Sequence, residues 1–392
     1  MIPIISPPSW ITDFVSVLPL SYHQIKHMTR YATGLIVSRT KTVAGMSSLF
    51  LSAPSSRAMN YFIKEYEWNS SDANSQRLAE LQNHNETRWN RNGIGIIDDT
   101  IIEKTGKHIP GIGKYFDHAK GRYVYGHNLV SLHYADRKTN YPIDYRLYVK
   151  KDDVTKEQEF KTKIQFAKEL VEDGISMGMP VLTYVFDSWY TCNEFTEFIE
   201  SFGKFWIGSC ESSLLVRVSG GRFVSIAKYD ASIPKKKFRE FVVNGKKLFV
   251  YTKLVYFNSL GRKARLIISK HGKDTLYLAT NRKDHAKRIL AAYMWRGKID
   301  AFYRDTKQHL GLGRYQFRDI GAIKKHWHIV FLSHSLLRLG ATESVLGRVV
   351  LASTIGKSLR RTCIELIEQL LYYALGGSRN VADIIKLMMG RV

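Results

Sequence analysis

Two short apolar runs in this chain each stop at an aspartate. Gly93-Ile94-Gly95-Ile96-Ile97 ends in Asp98-Asp99, and Val181-Leu182-Thr183-Tyr184-Val185-Phe186 ends at Asp187. Both runs are almost continuously apolar rather than alternating, which predicts strands buried on both faces, as in a parallel sheet covered by helices. The intervening sequence agrees with that. Tyr123 to Tyr134 and Ile143 to Val149 are strand-like, and about Thr155 to Gly178 carries Phe160, Ile164, Phe166, Ala167, Leu170 and Val171 on one helical face. A helix near Cys192 and the strand-like Phe205-Trp206-Ile207-Gly208 complete an alternating α/β unit over residues 91–210.

Around that unit the patterning changes. Residues 1–90 hold short apolar groups separated by polar and Pro-containing breaks, which predicts a helical N-terminal region. Its Lys26, Arg30, Arg39, Lys41 and Arg57 read either as contacts to DNA phosphates or as a solvated face. Residues 211–280 predict a β-rich insertion, with strand-like runs at Phe223 to Ile226, Phe238 to Val243, Leu248 to Val255 and Ala264 to Ser269 and a tight turn at Asn244-Gly245. Lys283 to Leu310 predicts one long helix, placed in a core segment of 281–320, and 321–392 a helical C-terminal region.

Charge narrows the partner. Lys and Arg total 59 against 35 Asp and Glu over 392 residues, a formal charge of +24 and a pI near 9.8. A polyanion, nucleic acid first, is the expected ligand. An anionic membrane would require a basic amphipathic helix or a lipidation motif, and Met1-Ile2-Pro3-Ile4 shows neither. No apolar run reaches the roughly 20 residues that span a bilayer, and the three scattered cysteines favour neither a disulfide framework nor a zinc site. A reducing cytoplasm is the expected compartment.

Carboxylates delivered by separate elements are what phosphoryl transfer needs. Two hard divalent cations, Mg²⁺ or Mn²⁺, can activate the attacking oxygen and stabilise the leaving one, and Asp side chains are their ordinary ligands. Asp98 or Asp99, Asp187 and a later helical Asp300 are the candidates. Each alone is also what an N-cap or turn supplies. In the doublet, neighbouring strand side chains face opposite ways, so only one enters a site. Asp98 is favoured, with Thr100 two positions on, and Asp99 stays open.

Tyr293, Arg296, Asp300 and Lys307 fall within about 60° on one face of a continuous helix. This stripe reads either as a metal-binding acid flanked by phosphate-gripping groups, or as an Arg296–Asp300 i,i+4 pair on a solvated face.

The same residues carry a resemblance. Tyr293, Arg296, Asp300 and Lys307, with two, three and six residues between them, resemble the tyrosine-arginine-glutamate-lysine signature of bacterial and archaeal insertion-sequence transposases of the DDE type. The insertion-sequence 4 and 701 type groups are similar, which implies double-stranded DNA as the partner and a prokaryotic, nucleoid-associated setting. Ile97-Asp98-Asp99-Thr100 with Lys104 and Gly106 resembles the segment of that family's first acid, and Asp187-Ser188-Trp189-Tyr190 that of its second. Tyr145 to Tyr148, Phe160 and Lys163 also match. One departure stands: Asp300 replaces the family's glutamate.

The resemblance implies a ribonuclease-H-like core interrupted by a β-rich insertion. It also implies Asp98, Asp187 and Asp300 on two metal ions with Asp99 beside them, and Tyr293, Arg296, Lys307, Trp295, Lys104 and Tyr190 on DNA. The implied reaction is cleavage at the ends of a mobile element and joining of the freed 3′ hydroxyls to target DNA, through a hairpin and a flipped base, by a homodimer. A nuclease without strand transfer and a decayed DNA-binding relic are the alternatives. His326-Trp327-His328 places its histidines on different helix faces and predicts packing or phosphate contact rather than a metal pair, Gly111-Ile112-Gly113 reads as a turn, and Cys192 has no activating motif. Trp327, like Trp295, is a candidate for stacking, with core packing the plainer role.

Overall fold

The computed structural model describes residues 3–52, 55–106, 108–118, 120–154, 159–218, 220–339 and 354–375. Helices come first: α1 (Ser9–Ser16), α2 (Tyr22–Val37), α3 (Val43–Ser47), α4 (Ser56–Lys64) and α5 (Ser70–Asn83). Strands β1 (Ile94–Glu103), β2 (Gly113–Asp117), β3 (Arg122–Ala135) and β4 (Asn140–Tyr148) follow. Then come α6 (Lys163–Ser176), β5 (Thr183–Phe186), α7 (Asn193–Ser201) and β6 (Phe205–Ser209). The next stretch holds β7 (Leu215–Arg217), β8 (Val224–Ser225), α8 (Ile226–Ala231), β9 (Arg239–Val243), β10 (Lys246–Phe257), β11 (Arg262–His271) and β12 (Asp274–Thr280). Helices α9 (Ala286–Met294), α10 (Gly297–His309), α11 (Ile320–Leu339) and α12 (Ile355–Ala374) complete the described chain.

These elements form two compact units. One comprises Met1–Arg88, Ile102–Gly126 and Phe302–Val392, the other Trp89–Ile101 and His127–Ala301.

The second unit is built on a sheet with neighbours in the order β3-β1-β5-β6-β12-β11-β10-β7-β8, to which β4 adds on β3 and β9 on β10. β1, β5 and β6 are parallel, β3 and β4 antiparallel. Ile94, Ile96, Ile97, Tyr184, Val185, Phe186, Trp206 and Ile207 are all buried, as continuous apolar runs require. Ala167, Leu170 and Val171 of α6 and Phe195 and Ile199 of α7 add to that core. This is the mixed α/β, ribonuclease-H-like arrangement the sequence implied. β12 pairs antiparallel with β6, so the β-rich insertion extends the core sheet. Its β9–β10 hairpin closes on Asn244 and Gly245 at φ 49° and 76°, the pair of positive φ angles a two-residue hairpin turn demands.

Several expected elements differ in extent. β1 does not stop at Asp98-Asp99 but runs to Glu103, because Thr100, Ile101 and Ile102 are themselves good strand residues. α6 starts at Lys163, where the Thr162 hydroxyl accepts from Gln165 N–H and the Gln165 side chain accepts from Thr162 N–H. That capping box sets the start; Thr155 to Gln158 of the expected helix lie outside the described residues. The run at Phe223 to Ile226 gives only the short β8 before α8. β2, β7 and β12 were not foreseen. The expected helix from Lys283 to Leu310 is two helices, with a break at Trp295 and Arg296. Residues 340–353 and 376–392 of the expected C-terminal helical region lie outside the described residues.

The first unit is mostly helical, with β2 and the start of β3 in its Ile102–Gly126 segment, and α11 lies at its centre: from Ala322 to Leu337 all but Lys324, Lys325 and His328 are buried. Among the described residues no helix is long and apolar enough to cross a membrane. His326 of α11 is fully buried, with Nε2 3.0 Å from the Gly311 carbonyl and Nδ1 2.9 Å from the Tyr31 hydroxyl. A carbonyl only accepts, so Nε2 carries the hydrogen and Nδ1 accepts from Tyr31. The ring is therefore neutral, and burial lowers its pKa to about 4.

Between pH 6.5 and 4 the unfolded chain takes up a proton that the folded chain refuses, so stability is complete above pH 6.5 and falls as pH drops. The loss expected from this one ring is about 3 kcal/mol. Urea unfolding from pH 7.5 to 4.5 should show a one-proton difference in slope between the native chain and His326→Gln. Parallel curves would refute the assignment.

Candidate active site

Strand register brings the first two acids level. Ile97 of β1 lies opposite Phe186 of β5, so the residues that follow, Asp98 and Asp187, emerge side by side where the parallel pairing ends. This is the carboxyl end of β5, where sites form in α/β sheets.

The turn after Asp187 is pinned at both ends. The Asp187 Oδ1 accepts from Trp189 N–H at 3.0 Å. The Thr191 hydroxyl reaches the carbonyls of Asp187 and Ser209 at 2.9 and 2.7 Å. Thr191 fits there because position 208 is glycine: a Cβ would lie 2.2 Å from its Oγ1.

The break between α9 and α10 supplies the rest. Trp295 N–H bonds to Ala292 O and Arg296 N–H to Tyr293 O, with Lys298 and Ile299 reaching back three residues in the same way. This tightened turn precedes Gly297, a weak helix former, and it turns the Arg296 side chain onto the acids. Its Nη2 donates to Asp98 Oδ2 at 2.7 Å, and its Nη1 lies 3.8 Å from Asp300 Oδ2. The expected i,i+4 pair thus exists but is the weaker of the two contacts. Asp300 itself is 58% exposed.

The electrostatics follow from that crowding. Burial pushes the Asp98 carboxyl up to about 8, the charges of Asp187, Asp99 and Asp300 push the same way, and Arg296 opposes them. Asp187 is also raised, by burial first, while Arg296 and the N–H groups of Trp189 and Tyr190 favour its ionised form. Arg296 in turn is raised by Asp98, Tyr293, Asp300 and Asp187 against the cost of burial. One guanidinium therefore feels acids from β1, from the end of β5 and from α10.

Asp99 belongs to a different set of contacts. Its Oδ2 meets Lys163 Nζ at 2.8 Å and its Oδ1 accepts from the Tyr190 hydroxyl at 3.2 Å. The Lys163 ammonium also lies 5.5 Å from the Tyr148 ring centroid and 5.3 Å from that of Trp189, whose indole is 65% exposed. Lys163 and Trp189 were not singled out as site residues from the sequence. The signal for Lys163 was its match to the family, and the Thr162-x-x-Gln165 capping box fixes that residue at the start of α6. Trp189 left none.

The other expected contacts fall in varied settings. Tyr293 is half-buried, bonds through its side chain to Ser209, and is raised in pKa by burial, with Arg296, Asp187 and Asp98 nearby. Trp295 is half-buried, with the Lys298 ammonium 5.2 Å from its ring centroid. Tyr190, expected at DNA, is fully buried, so its hydroxyl holds Asp99 instead. Lys104 belongs to the other unit; its ammonium is engaged by the carbonyls of Gly313 and Tyr315 at 2.8 and 2.7 Å and lies over the Tyr315 ring. Lys307 sits in that unit too, lowered in pKa by burial. Trp327 is fully buried in α11, which leaves it a packing role.

Asp98, Asp187 and Asp300 offer only oxygen donors and more negative charge than Arg296 balances, the donor chemistry that a hard divalent cation prefers. Among the described residues, no three His, Cys, Asp or Glu side chains close on one point as they stand.

The family described as DDE superfamily endonuclease matches residues 17–236. That is more than half of the 392 residues, and it takes in Asp98, Asp99 and Asp187 while ending before Asp300. No curated protein matches the chain. Acids from separate elements gathered on one arginine, on an α/β sheet of this topology and within a match of this length, lead to one conclusion: the chain belongs to the DDE superfamily endonucleases.

Proposed function

We propose that this chain is an insertion-sequence transposase that cuts DNA at the ends of a mobile element and joins the freed 3′ hydroxyls to target DNA. The observation that carries the reading is Arg296, which bonds Asp98, lies beside Asp300 and is coupled to Asp187. Three acids from distant parts of the sequence share one counter-ion.

Endonucleases of this family generally use divalent metal ions. Asp98, Asp187 and Asp300 are assigned to hold a pair of Mg²⁺ or Mn²⁺ ions, which when bound supply charge stabilisation at the phosphate and an activated oxygen nucleophile. Asp300 serves in place of glutamate because its carboxylate offers the same hard oxygens on a side chain one methylene shorter. Asp99 is assigned to hold Lys163 and Tyr190 rather than metal. Arg296, with its Nε–H buried and without a hydrogen-bond partner, and Tyr293 are assigned to the DNA phosphate beside the acids. Lys307, seven positions beyond Asp300 on α10, is assigned to the same strand, and half-buried Trp295 to a base.

Charge supports the partner. Residues 211–280 hold fifteen Lys and Arg against four Asp and Glu, a surplus of 11 out of the chain's +24. A basic sheet surface of this kind favours phosphates. The helical segment 1–90 is assigned to DNA binding, and a homodimer on DNA at the prokaryotic nucleoid completes the proposal.

The test is an end-joining assay. With Mg²⁺, a duplex carrying the inverted repeats that flank the gene should yield nicked ends and then products joined to a target plasmid. Nicks without joined products would reassign the chain as a nuclease, and no Mg²⁺-dependent products would overturn the catalytic reading.

A further inference from the structure

Arg296 is placed where a cation would have to act. Its side chain is 23% exposed and that of its partner Asp98 8%, so the guanidinium sits among the acids rather than over solvent. Asp99 already has Lys163 as its counter-charge. Asp98, Asp187 and Asp300 share Arg296, and as they stand they do not close on one point.

A guanidinium and a hard divalent ion compete for the same carboxylate oxygens. Any hold that Arg296 has on Asp98 is subtracted from the affinity of the acids for metal. Phosphate is the other partner that a guanidinium binds well, through parallel N–H bonds. Arg296 retains an unused, buried Nε–H, and it sits on a turn beside Gly297, around which a Cβ would meet nothing within 4 Å.

We propose that Arg296 couples metal loading to DNA binding: it occupies Asp98 until a DNA phosphate takes its guanidinium, and only then are the acids free for metal. The inference rests on the metal assignment made under Proposed function. Thermodynamic linkage then requires DNA to raise metal affinity and metal to raise DNA affinity by one factor.

The experiment is a Mn²⁺ titration of the full chain, followed by electron paramagnetic resonance of free Mn²⁺, with and without a 20-base-pair duplex whose own Mn²⁺ binding is subtracted. The native chain should bind Mn²⁺ about tenfold more tightly with DNA, within the range of ordinary coupling. Arg296→Gln should bind it tightly without DNA and lose the gain. Should Arg296→Gln not fold, Arg296→Lys keeps the charge without the parallel bonds and should show a reduced gain.

A DNA gain of native size in the variant would overturn the coupling, because loss of a nearby positive charge alone would tighten Mn²⁺ equally in both states. Mn²⁺ binding that Asp98→Asn leaves unchanged would instead overturn the metal assignment itself.

Discussion

An Asp300→Asn chain is expected to fold as stably as the native one and to cut DNA about a thousandfold more slowly, the several kcal/mol that metal-ion catalysis is worth. The two effects separate because of where Asp300 stands. Its side chain is 58% exposed and 3.8 Å from Arg296, and an exposed ion pair of that kind contributes less than about 1 kcal/mol. Asp187→Asn should match it in rate, and the turn should survive, since an amide oxygen can still accept from Trp189 N–H as Oδ1 does now. Asp300→Glu should retain activity if the backbone there tolerates one more methylene. Cleavage rates with Mg²⁺ alongside urea midpoints check this, and an Asp300→Asn chain with native rates would remove the residue from the site.

Arg296→Ala should act on stability as well as on chemistry. It leaves the buried Asp98 carboxylate, already crowded by Asp187, Asp99 and Asp300, without the guanidinium that bonds it at 2.7 Å. Breaking a buried pair from one side costs about 4 kcal/mol, and the shift in unfolding midpoint should be read at about pH 9, where a carboxyl held near 8 is ionised in the native chain. At lower pH the carboxyl that loses its partner takes up a proton and the cost shrinks. Adding Asp98→Asn should restore most of that stability, because the charge that lost its partner is then gone, while cleavage stays abolished. If the double variant is no more stable than Arg296→Ala alone, the two residues are not the coupled pair described.

Much of this was legible in the chain because the physics is local. Continuous apolar runs at Ile94 to Ile97 and Val181 to Phe186 announced buried parallel strands, and the register Ile97 with Phe186 then sets Asp98 beside Asp187. Asn244-Gly245 announced its turn, since few other residues accept two positive φ angles in succession. The helix from Lys283 to Leu310 misled for a physical reason: periodicity cannot see that Trp295 and Arg296 bond three residues back instead of four. That break aims Arg296 at Asp98, a residue nearly two hundred positions away. Tyr190 misled as well, because an aromatic three places after an acid looks the same in sequence whether it faces DNA or, as here, is buried holding Asp99. Lys104 shows the same limit, its charge drawn to two carbonyls that lie some two hundred residues downstream.

The central claim is that Asp98, Asp187 and Asp300 act as one ligand set, and metal binding by the DNA-bound chain tests it most directly. Electron paramagnetic resonance should count a pair of Mn²⁺ ions per native chain beyond those on DNA alone, and at least one should be lost in each of Asp98→Asn, Asp187→Asn and Asp300→Asn. Three folded variants that all bind Mn²⁺ as the native chain does would contradict the account.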